Sequence, residues 1–135
     1  SPVPSASLAI LVAEDNPVSA EFIVKVLGRM GHRITAVEDG QQVVELTEQQ
    51  HFDCILMDIQ MPVMGGDEAA RSIRERERQS GFHIPIIALT AHAMADERER
   101  LLEQGFDAHV AKPVQLAELL AELQRVTSLT VQGGA

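Results

Sequence analysis

Apolar runs alternate with helical patterns along nearly the whole chain. Five short apolar runs are typical of buried strands, at about 8–13, 33–37, 53–57, 85–89 and 107–111. Five segments with helical periodicity follow them in turn, at about 17–30, 40–50, 66–79, 94–104 and 115–126. This strict alternation predicts βαβ units, and therefore an α/β fold with a doubly wound, five-stranded parallel sheet and helices on both faces.

The two ends of the chain lack these patterns. Residues 1–7 are small and mostly polar with two prolines, and residues 127–135 contain a pair of glycines near the terminus. We therefore expect one domain at 8–126, with a linker before it and a tail after it. The chain begins with Ser1 rather than Met, as expected of a trimmed chain or a piece of a longer protein.

Composition narrows the class of protein. The chain has 135 residues, 45% of them hydrophobic and 23% charged, which suits one globular domain. Its net charge of −9 argues against non-specific nucleic-acid binding, which needs a basic face. No apolar run approaches the roughly 20 residues of a membrane-spanning helix. The single cysteine, Cys54, is expected to be a buried thiol in a reducing, cytoplasmic compartment.

The helical patterns also predict which faces are buried. Two stretches of mixed charge, 71–78 and 96–100, are typical of solvated helix faces. In the first helix, Val24 falls on the side away from an apolar stripe. The four members of that stripe are expected to face the core: Val18, Phe22, Val26 and Met30.

Polar residues follow four of the five predicted strands. The carboxyl ends of parallel strands meet at one edge of a sheet, where ligands usually bind. We therefore expect three acids, one hydroxyl and one ammonium to lie close together: Glu14, Asp15, Asp58, Thr90 and Lys112.

This set suits an aspartate that accepts a phosphoryl group. Three carboxylates in one pocket repel one another, and a hard divalent cation such as Mg²⁺ or Mn²⁺ removes that cost. Glu14, Asp15 and Asp58 would supply acidic ligands, and the main-chain carbonyl of Gln60 a further one. Asp58 would be the nucleophile, while the remaining polar groups stabilise phosphoryl oxygens. These are the Lys112 ammonium and the Thr90 hydroxyl.

Each of these residues also has an ordinary structural explanation. Asp15 or Asn16 can cap the first helix, Thr90 can cap the fourth, and Asp58 can form a turn. An isolated Lys112 would be expected to be solvated. Only their joint placement at four strand ends favours a common site.

Four motifs together resemble the receiver domain of two-component response regulators. The likeness covers about residues 8–126. The sequences of the motifs are most similar to those of receivers in hybrid sensor histidine kinases. The motifs are Ile10-Leu11-Val12-Ala13-Glu14-Asp15-Asn16, Met57-Asp58-Ile59-Gln60-Met61-Pro62-Val63-Met64-Gly65-Gly66, Ala88-Leu89-Thr90-Ala91 and Ala111-Lys112-Pro113.

The resemblance implies a flavodoxin-like sheet of order 2-1-3-4-5. It also implies that Asp58 takes a phosphoryl group from a phosphohistidine on a sensor histidine kinase or a histidine phosphotransfer protein. Glu14 and Asp15 match the metal-binding acids of the family, while Thr90 matches its switch hydroxyl. Lys112 matches the phosphate-contacting lysine, and the bond from it to Pro113 is expected to be cis.

His109 departs from the family pattern, which often has Tyr or Phe three residues before the lysine. An imidazole there would make the coupling of Thr90 to the outer surface weaker or sensitive to pH. Alternatively, His109 is simply a half-exposed residue of the last strand.

A partner is expected to dock beside the Asp58 pocket. The candidate contacts are Val18, Val24 and Pro113, since apolar surface on the first helix could receive a helix of the donor protein. An isolated exposed valine would have no such meaning. We expect a monomer or weak dimer, without nucleic-acid or membrane contact by this domain.

Two other functions fit less well. One alternative is a protein-binding module of the same fold that no longer uses phosphate, but such relatives usually lose one of the residues that are present here. The other is an enzyme, such as an aspartate-nucleophile phosphatase of the dehalogenase type. Its nucleophile would follow the first strand in Asp-x-Asp, whereas Asp58 follows the third strand and Gln60 stands two residues later.

Overall fold

Five strands and five helices alternate in the computed structural model. The described residues are 7–91 and 95–134, with side chains described at all of these except 95 and 128–134. The strands are β1 Ala9–Ala13, β2 Arg33–Val37, β3 Cys54–Asp58, β4 Ile86–Thr90 and β5 Ala108–Ala111. The helices are α1 Pro17–Arg29, α2 Gly40–Gln49, α3 Gly66–Ser80, α4 Ala95–Gln104 and α5 Leu116–Gly134.

The strands form one parallel sheet of order β2-β1-β3-β4-β5, which confirms the predicted fold. The pairing register brings the strand ends level. Ala13 at the end of β1 lies opposite Met57, and Asp58 lies opposite Leu89. Each loop that follows these strands therefore begins at the same edge of the sheet, which is the edge of the predicted site.

The core is divided between the two faces of the sheet. One cluster packs α1 and α5 against the sheet, and the other packs α2, α3 and α4 against the opposite face. Every residue of β3 is buried, as expected for a central strand covered on both faces. Cys54 is among them as a free thiol, and burial raises the pKa of that thiol, which leaves it unreactive.

The predicted core face of α1 is wrong. Ile23 and Leu27 are fully buried, whereas Val18 is 75% exposed and Phe22 is 41% exposed. A line of residues spaced by four drifts about 40° per step around a helix of 3.6 residues per turn. A stripe that starts at Val18 therefore cannot stay on one face, and Val24, expected opposite the core, is instead partly buried.

The beginning of α1 and the end of α5 differ in how well they were predicted. Asn16 caps α1 as expected, because its Oδ1 accepts hydrogen bonds from the main-chain N–H groups of Val18 and Ser19. In contrast, α5 continues to Gly134, beyond the end expected near 126. Glycine lowers helix stability by only about 1 kcal/mol, so a glycine pair does not by itself end a helix.

His32, in the connection between α1 and β2, holds the residue that precedes β1. Its Nδ1 accepts a hydrogen bond of 3.1 Å from the main-chain N–H of Leu8. Burial lowers the pKa of His32 from 6.5. The folded protein therefore holds this ring neutral more strongly than the unfolded chain does.

The free energy of unfolding is expected to fall as His32 becomes protonated. The pKa of His32 is lower in the folded state than in the unfolded chain. The stabilisation by the neutral ring is therefore complete above pH 6.5 and is lost as pH falls towards the folded-state pKa. The loss should be about 1 kcal/mol, the usual value of one hydrogen bond. His32→Asn keeps an acceptor that does not titrate, so its urea unfolding should lack this component. Equal pH dependence in both proteins would contradict the assignment.

Candidate functional site

Three acids meet at the carboxyl edge of the sheet. Glu14 and Asp15 follow β1, Asp58 ends β3, and one carboxylate oxygen from each lies within 4.8 Å of the others. Glu14 and Asp58 are buried, while Asp15 is exposed. The parallel pairing of β1 with β3 brings the acids together, as the strand pattern predicts.

Lys112 forms ion pairs with two of these acids. It follows β5, and its Nζ lies 2.9 Å from Asp58 Oδ2 and 2.9 Å from Glu14 Oε1. The Lys112 side chain therefore reaches from the end of the edge strand β5 to Asp58 at the end of β3 and Glu14 after β1. The bond between Lys112 and Pro113 is cis, as the resemblance implied.

The pKa values of Glu14 and Lys112 are both raised, but for different reasons. Burial raises the pKa of Glu14, and the neighbouring Asp58 adds to the rise, while the hydrogen bond from Lys112 and that from the Asn16 main chain oppose it. Burial lowers the pKa of Lys112, but its hydrogen bonds to Asp58 and Glu14 outweigh burial, and the net pKa is raised. Lys112 is thus held as a cation that partly neutralises the acids.

The acid cluster has unused capacity for a positive ion. Oε1 of Glu14 is buried and accepts no hydrogen bond, although it lies within ion-pair distance of Lys112. The ammonium offsets part of the charge of this oxygen, and a second cation would offset more of the charge of the cluster. A carboxylate oxygen in that position, with two further carboxylates beside it, is the ligand type that Mg²⁺ prefers. The residues present therefore fit a hard divalent cation.

A small cavity opens beside Asp58. It has a volume of about 140 Å³ and is lined by Gln60, Thr90 and Lys112 among others. Thr90 ends β4 and is 4% exposed, so its place at the pocket follows from the sheet. The main-chain N–H of Gln60 donates to Asp58 Oδ1 at 3.3 Å, whereas a metal-binding role for the Gln60 carbonyl stays a prediction.

Sequence reasoning missed Glu97 as a pocket residue. It lies in the first turn of α4 and lines the cavity, and it pairs with Arg100 at 3.3 Å. Its mixed-charge surroundings predicted a solvated face, and its side chain is instead 22% exposed. The sequence signal that could have indicated a pocket residue is the position of Glu97 in the first turn of α4, the helix that follows Thr90.

The loop after β3 depends on glycine. A Cβ at Gly66 would lie 2.2 Å from the main-chain oxygen of Asp58, so a side chain there would displace the loop. The main-chain N–H of Gly66 donates to Ile59 at 2.7 Å, and that of Gly40 donates to Met64 at 2.8 Å. These contacts fix the turn that carries Asp58 into the pocket.

The remaining predicted site residues lie around the pocket rather than in it. His109 is partly exposed on β5, between the buried Ala108 and Val110, so the structure leaves its switch role a prediction. Val18 and Pro113 are exposed beside the edge, as a docking role requires.

A wider cavity lies at the opposite edge of the sheet. Its volume is about 1060 Å³, and its lining includes His51, Phe82 and Asp107. The loops there precede the strands rather than follow them, and among the residues described the three-acid cluster lies at the other edge. This cavity is therefore not the candidate site.

The chain matches the family model described as response regulator receiver domain over residues 10–124. It is also 46% identical over 110 residues to the hybrid signal transduction histidine kinase I of Dictyostelium discoideum, across 78% of the chain. It spans only 6% of that kinase and 15% of the sensor protein GacS of Pseudomonas syringae.

Two solved structures are similar in fold. The receiver domain of the sensor histidine kinase PA1611 of Pseudomonas aeruginosa, with a magnesium ion in its active-site cleft, has a TM-score of 0.80 and 44% identity, covering 91% of this chain and 99% of that one. The receiver domain of Ssk1, crystallised with the histidine phosphotransfer protein Ypd1 of Saccharomyces cerevisiae, has a TM-score of 0.82 and 28% identity, covering 87% of each chain.

These similarities and the site geometry define the class: the chain belongs to the response regulator receiver domain family. Among the described residues, no helix combines the length and the apolar character needed to cross a bilayer.

Proposed function

We propose that Asp58 accepts a phosphoryl group from a phosphohistidine in a reaction that depends on Mg²⁺ or Mn²⁺. The observation that carries this proposal is the convergence of three carboxylates and one ammonium around a cavity at the carboxyl edge of the sheet. Such a site aligns a nucleophile and supplies charge for phosphoryl oxygens, which is what phosphoryl transfer requires from a protein.

The acids would hold the metal. Glu14, Asp15 and Asp58 offer one oxygen each within a span that a single ion can bridge, and the Gln60 carbonyl adds a ligand of the same kind. When bound, the cation supplies positive charge that offsets the acids and the phosphoryl oxygens. In related PA1611 a magnesium ion lies in the active-site cleft.

The transfer uses this chain's own groups. A carboxylate oxygen of Asp58 forms the bond to phosphorus while the bond from phosphorus to the imidazole nitrogen of the donor breaks, and that nitrogen retains the bonding pair. Lys112, already 2.9 Å from Asp58, pairs with one phosphoryl oxygen. The Thr90 hydroxyl at the cavity wall hydrogen-bonds another.

Phosphorylation then acts as a switch. A new dianionic group on Asp58 favours the arrangement in which Thr90 and Lys112 approach it, and so shifts an equilibrium of the domain. His109, on the strand that leads to Lys112, would couple this change to the outer surface of β5.

The donor is a sensor histidine kinase or a histidine phosphotransfer protein. A receiver related to this chain has been crystallised with the phosphotransfer protein Ypd1. In this chain, Val18 and Phe22 form exposed apolar surface at the start of α1, next to the acids, and Pro113 is exposed on the other side. We also infer that the domain works in the cytoplasm, as one part of a hybrid kinase.

Acetyl phosphate with Mg²⁺ should add one phosphoryl group to the protein, because a small donor needs only the pocket. Intact mass spectrometry measures the gain, and excess EDTA should abolish it. Phosphorylated Ypd1 serves as a protein donor in a parallel reaction. If neither donor adds mass while Mg²⁺ is shown to bind, the proposal is wrong and a phosphate-independent binding module is favoured.

A further inference from the structure

Glu97 is a second carboxylate in the cavity beside Asp58, and the proposed phosphoryl transfer does not use it. Among the described residues that line this cavity, Asp58 and Glu97 are the two acids. Glu97 also lies outside the three-acid cluster that could share a metal ion. If Glu97 takes part in the chemistry of the site, it therefore does so in another step.

The Glu97 carboxylate is held in place by its own helix. It lies in the first turn of α4, where the N-terminal end of the helix dipole stabilises a negative charge. Its Oε1 pairs with Nη1 of Arg100 at 3.3 Å, one turn further along the helix. A carboxylate has about four acceptor sites, so this pair leaves capacity for a water molecule. Glu97 is therefore an oriented hydrogen-bond acceptor at the wall of the cavity.

The two carboxylates of the cavity lie at different depths. The side chain of Asp58 is 10% exposed, whereas that of Glu97 is 22% exposed. A phosphoryl group bonded to Asp58 points away from the buried acid and into the more open part of the cavity, to which Glu97 belongs. A water that attacks phosphorus opposite the Asp58 oxygen must approach from that open side, since the entering and leaving oxygens are roughly in line.

The cavity has room for a water beside a phosphoryl group. Its volume is about 140 Å³. A water takes about 30 Å³ of liquid volume, and each of the three terminal phosphoryl oxygens is of similar size, so space for at least one water remains. Hydrolysis of a phosphoryl group requires such a water to be oriented by an acceptor, and a carboxylate at the cavity wall can supply one.

We propose that Glu97 positions the water that hydrolyses the phosphoryl group on Asp58 and thereby limits the lifetime of the phosphorylated state. The water oxygen forms a bond to phosphorus while the bond from phosphorus to the Asp58 oxygen breaks, and that oxygen keeps the bonding pair. One proton of the water passes to the Glu97 carboxylate and then to solvent. The products are inorganic phosphate and the free Asp58 carboxylate. The inference rests on the proposed function and adds the step that reverses it.

Glu97→Gln should prolong the phosphorylated state. Glutamine has nearly the same size but does not accept a proton, so the half-life of the phosphoryl group should increase by at least about tenfold. The rate of uptake from acetyl phosphate should change by less than about threefold, because the nucleophile Asp58 and its cation Lys112 are unaltered. The protein is first phosphorylated with acetyl phosphate and desalted into buffer with Mg²⁺, and intact mass then follows the loss of the group.

Arg100→Gln separates the position of the carboxylate from its charge. The variant keeps the charge of Glu97 but removes the partner that holds it. If Glu97 positions water, the half-life should increase by about two- to threefold, since the acceptor is less well oriented. If Glu97 only repelled the phosphoryl group, the loss of a nearby positive charge would strengthen that repulsion and shorten the half-life. A shorter half-life in this variant would therefore overturn the proposal.

Glu103→Gln is the matched control on the same helix. Glu103 is an exposed carboxylate in the last turn of α4, so this variant should match the unaltered chain in both uptake and half-life. Hydrolysis in water labelled with heavy oxygen identifies the bond that breaks. Attack on phosphorus puts the label into inorganic phosphate, whereas label in the Asp58 carboxyl group would contradict the proposed step.

The failure of this inference can be distinguished from the failure of the proposed function. If Glu97→Gln takes up the phosphoryl group and loses it as fast as the unaltered chain does, Glu97 does not position the water, and the proposed function stands. Equal slowing of uptake and loss would show a general disturbance of the pocket and overturn the assignment. If the unaltered chain takes up no phosphoryl group from acetyl phosphate or from phosphorylated Ypd1, the proposed function fails, and this inference fails with it.

Discussion

Asp58→Asn is expected to abolish the phosphoryl uptake that the unaltered chain shows with acetyl phosphate and Mg²⁺. The amide that replaces the carboxylate is not a nucleophile, and one of the three carboxylates that could hold the metal is lost with it. The rate should fall by at least about a thousandfold, as when an enzyme loses its nucleophile. Intact mass after a fixed incubation measures the effect directly.

The fold should survive this change. Asparagine has nearly the same volume, and its carbonyl can still accept the hydrogen bond from the main-chain N–H of Gln60. Lys112 keeps its ion pair with Glu14. A cooperative urea transition in the variant would therefore show that lost uptake reflects lost chemistry rather than unfolding.

Asp39→Asn is the matched control at the same edge of the sheet. Asp39 caps α2 by accepting a hydrogen bond from the main-chain N–H of Gln42, and asparagine caps a helix equally well. This variant should gain the phosphoryl group at the normal rate. Uptake that persists in Asp58→Asn would instead place the acceptor on another carboxylate, and peptide mapping would identify it.

The sequence was sufficient for the sheet and for the residues that converge at its edge. Apolar runs locate the strands, and parallel pairing brings their ends to one edge whatever the loops do. Glu14, Asp58 and Lys112 could therefore be grouped before any distance was known. The positions of these three residues depend only on the strand order and the register of the sheet. The prediction that they lie together therefore succeeds without any knowledge of side-chain packing.

Features that depend on side-chain packing between elements were not predictable in this way. The i to i+4 pattern of α1 suggested the wrong face because it drifts around the helix. The positive φ of 67° at Val63 has no signal in residue type, since valine favours extended backbone. Mixed charges suggested solvated faces at 71–78 and 96–100, yet the side chains of Arg74 and Glu97 are only 17% and 22% exposed.

Arg74 is partly buried and connects α3 to the residues just before β5. Its guanidinium pairs with Glu77 and with Asp107 at 2.7 Å each, and its Nε donates to the carbonyl of Gly105 at 2.8 Å. The three charged side chains are 17%, 11% and 26% exposed. Water therefore screens these pairs much less than it screens pairs on the surface.

Arg74→Met is expected to lower the free energy of unfolding by about 3 kcal/mol, because it leaves two partly buried carboxylates without their cation. Main-chain N–H groups of Ile84 and Ile86 still donate to these acids, which keeps the loss near the lower end for a broken buried pair. Urea unfolding at pH 7 measures the change.

Arg78→Met gives the matched comparison on the same helix. Arg78 and its partner Glu75 are 76% and 74% exposed at 3.7 Å, so the loss of this pair should change the free energy of unfolding by less than about 0.5 kcal/mol. Below its unfolding transition, Arg74→Met should still take up phosphate at Asp58, since its contacts lie at the opposite edge of the sheet. Equal stability of the two variants would show that Arg74 does not hold these elements together.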